Sequence, residues 1–210
     1  ATDRPGIGCI GTGSMGTGDA KAHAQFGDVL AVCDVDDRHA ERARNDGEIG
    51  KGKADTYRDY RKVLDRKDID VVSIVTTDHW HVKIAIEALQ AGKHVFCEKP
   101  FTLSGKESTD LAEKAAENGL VTQVGYHNRF IGAFNEVKNL LDLGAIGDVT
   151  HILGEAYGPV VLKPKGSTWR SKASEGGGCL YDYAAHVINL INWYAGEPES
   201  VGGTDRKSVV

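Results

Sequence analysis

The chain reads as an α/β protein: a doubly wound parallel sheet with helices on both faces, followed by a second, smaller α/β region. Three observations predict this. Short apolar runs alternate with helix-periodic stretches up to about residue 127. The first run ends in a glycine-rich turn that opens a helix. Beyond residue 127 the rhythm changes and a glycine-, proline- and serine-rich stretch intervenes. The strand-like runs cover residues 7–10, 29–33, 71–75, 94–97 and 121–124, with helical periodicity over 15–26, 60–66, 81–91 and 104–118. The mostly charged segment 37–46 reads as one more helix, with Arg38 on its solvent face rather than on a phosphate. Gly92 and Gly119 fall where helices should stop. In the second region a helix is expected over 135–143, a turn at Gly144 and Gly147, a long strand over 149–157, a loop over 158–178 and a final helix over 180–194; residues 200–210 have room for one more strand.

Composition narrows the class of function. The chain has 210 residues, 40% of them hydrophobic and 26% charged, as a soluble globular protein does. A net charge of -5 leaves no basic footprint for nucleic acid. No apolar run is long enough to span a bilayer, and the first residues lack a basic-then-apolar leader pattern. Cys9, Cys33, Cys97 and Cys179 are widely spaced without a CxxC pair, which points to reduced thiols and a cytoplasmic setting. The eight histidines are scattered without ligand spacing, so no metal is expected.

The most informative segment is the glycine turn Gly11-Thr12-Gly13-Ser14-Met15-Gly16, set between a strand and a helix. In a dinucleotide site the first glycine permits the tight turn, the second lets backbone approach a pyrophosphate, and the third lets helix and strand pack closely. The helix N-terminus then receives the phosphates. Asp34, closing the second strand, has the chemistry to accept hydrogen bonds from both ribose hydroxyls and to repel a 2′-phosphate. NAD is therefore favoured over NADP. Parallel strands deliver ligand contacts from their carboxyl ends, so Thr76 and Thr77 and the pair Glu98-Lys99 should line the same groove. Thr77 or Asp78 also suits a helix cap. His81, at the edge of that groove, reads as a packed, hydrogen-bonded histidine rather than a catalytic one. Pro100 excludes the helical region at Lys99 and allows a cis bond, either of which fixes where the ammonium points.

The last helix carries a second constellation. Asp182, His186, Asn189 and Trp193 follow helical spacing along one stripe, opposite the apolar Tyr183, Val187, Leu190, Ile191 and Tyr194. An acid one turn before a histidine can hold that imidazole in one tautomer, ready to take a proton. The same pair also suits a solvated helix face with no chemistry.

Taken together these pieces resemble the Gfo/Idh/MocA oxidoreductases, the family of glucose-fructose oxidoreductase and inositol dehydrogenase. The resemblance is carried by GTGSMG with Asp34, TTDHWH, AGKHVFCEKP, GAIGDV and GGGCLYDYAAHVINLINWYAG. It implies a Rossmann domain over 1–127 and, over 128–210, a partial α/β substrate domain with an open, largely antiparallel sheet. Such a sheet often serves as an oligomer interface, so a homo-oligomer is expected. Family members are usually longer, and the chain reads as truncated at its C-terminal end. Carried over by position, Lys99, Asp182 and His186 match the catalytic set: His186 takes the hydroxyl proton, Lys99 stabilises the reacting oxygen and Asp182 orients His186. His127, Trp169, Arg170 and Asn189 border the substrate, with Asn189 standing where many members have an aspartate. The implied activity is NAD-dependent hydride transfer to or from a secondary alcohol of a sugar, inositol or sugar derivative. Two alternatives also fit the resemblance: a dinucleotide-sensing regulator without chemistry, and a dehydratase or glycosidase with an internal redox cycle.

Overall fold

A computed structural model describes residues 4–102, 104–156 and 178–203. The first lobe is built as β1 (Gly6–Ile10), α1 (Ser14–His23), β2 (Asp28–Cys33), α2 (Asp37–Asn45), β3 (Asp55–Tyr57), α3 (Arg61–Leu64), β4 (Val71–Ile74), α4 (His81–Gln90), β5 (His94–Cys97), α5 (Gly105–Glu117) and β6 (Thr122–Val124). Its 6-stranded sheet has the order β3-β2-β1-β4-β5-β6, and every neighbouring pair is parallel. The order reverses at β1, between β2 and β4, which creates the crevice at the carboxyl ends of the strands where such sheets bind ligands.

Burial on both faces explains why the strands are apolar without alternation: every residue of β1 is buried. On one side α4 presents His81, Ile84, Ala85, Ala88 and Leu89, all buried, at the spacing of a single helix face. Leu111 and Ala115 of α5 join them in the larger core. On the other side Ala20 of α1 packs with Cys9, Val29, Val32 and Ala43. The short edge strand β3 is absent from the sequence expectation, because Asp-Thr-Tyr carries no apolar run; it forms by pairing with Ala31 to Cys33 of β2.

The second region opens with a 3-10 turn, His127–Phe130, and continues as α6 (Gly132–Asp142). A π-helical turn, Leu180–Ala184, then runs directly into α7 (Ala185–Ala195). The two helices meet where the Tyr194 hydroxyl donates to the Phe134 carbonyl at 3.0 Å. The strand expected over 149–157 does not form across residues 149–156. A strand needs a neighbouring ladder, and none of the described residues outside the parallel sheet supplies one. Instead this segment lies on α7, with Gly154 against Val187 and Ile191. The expected antiparallel sheet is thus absent among the described residues. Residue 157, the 158–177 part of the expected loop, including Trp169 and Arg170, and residues 204–210 lie outside them.

Candidate active site

The glycine turn is closed as its sequence requires. Gly11 has φ +87°, and a side chain there would stand 2.4 Å from the Val75 carbonyl. A side chain at Gly16 would stand 2.0 Å from the Gly11 carbonyl, so α1 can approach β1 only with glycine at this position. Over Gly13 there is open space, and no side chain caps the start of α1. The first N–H groups of that helix therefore face outward as a ready anion site.

Asp34 braces the turn. One carboxylate oxygen accepts from the Thr12 N–H at 2.8 Å, the other from the Asp36 N–H at 2.9 Å, and His39 Nδ1 stands 3.4 Å away. Arg42 reaches from α2 to the Thr12 carbonyl at 2.8 Å. Thr12 is itself fully buried, so its side chain supports the turn from behind. Arg38 is exposed and paired with Asp36 at 2.6 Å.

Beside this turn, the loops after β4 and β5 are tied together by His81. Its Nδ1 lies 2.8 Å from the Pro100 carbonyl and its Nε2 3.2 Å from the Thr76 carbonyl. His81 is 1% exposed, a packed histidine as the sequence reads it, and lies beneath the cofactor groove rather than in it; the neutral ring sits between the two carbonyls and donates to one of them. Burial lowers its pKa. The Lys99-Pro100 bond is cis.

Lys99 reaches into the second region. Its ammonium donates to the Asp182 carbonyl at 2.5 Å and stands 3.5 Å from the Asp182 carboxylate. His186 follows on α7, with Nδ1 buried and without a hydrogen-bond partner among the described residues. The expected support of His186 by Asp182 is thus corrected. The carboxylate faces Lys99 and does not bond the imidazole nitrogen. Lys99, arriving from the loop after β5, takes the Asp182 carboxylate as well as its carbonyl. Burial, then the Lys99 and His127 charges, push the His186 pKa down to about 4, against the opposing pull of Asp182.

His127 packs on His186, ring centroids 4.8 Å apart and planes at 62°. Asn189, expected at the substrate, is engaged elsewhere: its side-chain oxygen accepts from Arg129 Nε at 2.7 Å, and the Arg129 guanidinium lies over the Trp193 ring at 5.5 Å. Glu98 is 7% exposed, with one oxygen accepting from the Lys99 N–H at 3.1 Å and its carboxyl against Gly125. Burial and the neighbouring Asp19 charge raise the Glu98 pKa to about 7. Asp19, on α1, was missed from sequence, as were Arg129 and Arg42. Asp19 has a buried oxygen without a hydrogen-bond partner among the described residues, and burial raises its pKa while His127 pulls it down. No motif marks Asp19; it reaches the site because α1 packs over β1 and β4, the strands that flank the crevice. Among the described residues no group of three or more His, Cys, Asp or Glu could hold a metal ion.

The same chain order recurs in known proteins. Residues 6–126 match the model for an oxidoreductase family with an NAD-binding Rossmann fold, and residues 134–209 match the Gfo/Idh/MocA C-terminal domain. The chain belongs to the Gfo/Idh/MocA oxidoreductase family. Levoglucosan dehydrogenase of Pseudarthrobacter phenanthrenivorans is 32% identical over 208 residues, covering 93% of this chain and 52% of that protein. The scyllo-inositol 2-dehydrogenase (NAD(+)) of Bacillus subtilis is 32% identical over 179 residues, covering 85% of this chain and 49% of that protein. Among solved structures, levoglucosan dehydrogenase in complex with NADH superposes with a TM-score of 0.83 at 30% identity, over 93% of this chain and 55% of that one. A scyllo-inositol dehydrogenase from Lactobacillus casei with bound NAD(H) and scyllo-inositol gives 0.80 at 26% identity, over 92% and 57%. The chain thus spans about half the length of the family members it matches. Among its described residues, no helix is long and apolar enough to cross a membrane.

Proposed function

We propose that this chain carries the cofactor lobe and the catalytic residues of an NAD-dependent dehydrogenase acting on a secondary alcohol of a sugar, inositol or sugar derivative. One observation carries the reading: an ammonium from the strand edge of the first lobe is bonded to the turn that launches the histidine of the second. The residues suit a dinucleotide. Open space over Gly13 and the uncapped start of α1 accommodate a pyrophosphate, with Ser14 and Met15 at its N–H groups and Asp34 beside them for the ribose. When bound, the nicotinamide supplies the hydride acceptor.

The protein's own part is proton handling and orientation. His186, held neutral by its surroundings, takes the substrate hydroxyl proton at Nε2, since Nδ1 is buried. Lys99 donates a hydrogen bond to the same oxygen and stabilises its growing negative charge. Asp182 positions Lys99, its carbonyl and carboxylate both drawing the ammonium to one place. Thr76, Thr77 and the backbone of Glu98 border the groove, and His127 walls the substrate side. We assign residues 1–127 to the cofactor domain and 128–210 to the substrate domain. A cytoplasmic location suits the reduced, buried Cys9, Cys33 and Cys97, and a homo-oligomer suits the exposed Leu143, Ile146 and Leu153.

The test is to incubate the chain with NAD or NADP and a panel of inositols, levoglucosan and other sugars, following absorbance of reduced nicotinamide. Turnover with NAD is expected, and Lys99→Met should lower kcat by about a hundredfold or more. Unchanged turnover in Lys99→Met would overturn the catalytic assignment, and equal use of NADP would overturn the reading of Asp34. Conversion without net reduced nicotinamide would replace the dehydrogenase with an internal redox cycle.

A further inference from the structure

Resting on that reading and deepening it, we propose that His127 is a positioning residue for His186: its ring braces the His186 ring, and a proton on one ring opposes a proton on the other. The bracing follows from what is missing around His186. Among the described residues its buried Nδ1 meets no carbonyl or carboxylate to fix the ring, so the orientation rests on packing. Two rings supply that packing, His127 at 4.8 Å and Tyr126 at 6.1 Å, the latter nearly perpendicular at 86°. Tyr126 comes from the link after β6 and His127 opens the 3-10 turn, so the base on α7 is seated against the end of the parallel sheet.

The charge argument follows from what does surround it. From the loop after β5 the Lys99 ammonium faces His186, from the 3-10 turn His127, and from its own helix Asp182; Tyr126 completes the wall. The anion is already drawn to Lys99. Burial first, then the Lys99 ammonium and His127 when it carries a proton, oppose protonation of His186. His127 in turn faces Asp19 of α1, whose carboxyl also acts on Glu98, and Glu98 acts on Tyr126. The helix that begins at the glycine turn thus supplies the counter-charge for His127.

The experiment is a histidine-labelled NMR titration of the full chain, which needs no substrate, beside the pH profile of kcat/KM. His127→Phe keeps a ring and removes the charge, His127→Asn is a second neutral variant, and His127→Lys restores the charge without the ring. We expect the His186 midpoint to rise by about half a unit in both neutral variants and to stay low in His127→Lys. The acid limb of kcat/KM should move up by the same amount, about a threefold loss on the acid side. A midpoint and limb that stay put in whichever neutral variant folds would overturn the proposal. A midpoint that moves in a chain with no turnover would uphold the coupling and refute the dehydrogenase reading instead.

Discussion

The two regions of this molecule treat similar apolar side chains differently. In the first lobe Ile74, Leu89 and Leu111 are fully buried between a parallel sheet and its helices. In the second, Leu143, Leu153 and Val201 are 80%, 77% and 86% exposed, and Leu190 is the one buried hydrophobic among its described residues. Hydrophobicity alone does not bury a residue; an opposing surface does. The sheet provides one on both faces of the first lobe, whereas α6 and α7 have mainly each other. The proposed active site straddles this divide. Lys99 stands on the rigid side, while Asp182 and His186 are held by a few bonds: Lys99 to Asp182, Arg129 to Asn189, Tyr194 to Phe134.

That contrast can be broken or sharpened by measurement. The largest expected effect is at the core. Leu111→Ala should lower stability by about 2–5 kcal/mol, whereas Leu153→Ala should change it by about 0.5 kcal/mol or less, both read from denaturant unfolding. Equal losses would mean that the second region is as tightly packed as the first. Next is a pH effect confined to the first lobe. Glu98 has a folded pKa near 7 against an ordinary 4.5, so between these values the folded state holds a proton that the unfolded state has released. Stability from this group is therefore present below pH 4.5 and falls as pH rises toward 7. Glu98→Gln should remove that fall, so its Tm should gain on the parent by several degrees from pH 4.5 to 7.5. An unchanged difference across that range would show that Glu98 is ionised in the fold. The smallest effect is at the divide itself. Tyr194→Phe, which removes one hydrogen bond between α6 and α7, should cost about 1 kcal/mol and leave the first lobe's hydrogen exchange unchanged.

Legibility in the sequence follows the same boundary. The parallel lobe could be read because its signals are local: apolar runs, helix periods, and a glycine turn whose steric demands Gly11 and Gly16 bear out. Even there β3 escaped, since three residues with no apolar pattern become a strand only when β2 lies beside them. His81, read as a packed histidine, does sit on the apolar stripe of α4 and is buried there. In the second region the readings were right about helices and wrong about contacts. Helical spacing pairs Asp182 with His186, but no local spacing announces that Lys99, from the loop after β5, takes the acid. The strand expected over 149–157 failed for a related reason: a strand exists only through its partner.

The bond from Asp34 to the Thr12 N–H has a practical consequence for redesign. The group that we read as choosing between the two nicotinamide dinucleotides is also the keystone of the loop that would hold either one. Exchanging it for a residue without a side-chain oxygen to admit the phosphorylated form withdraws that acceptor and leaves the Thr12 amide unanswered. Cofactor preference and loop order are therefore linked traits, and altering the first calls for a compensating change near Arg42 or His39 to preserve the second.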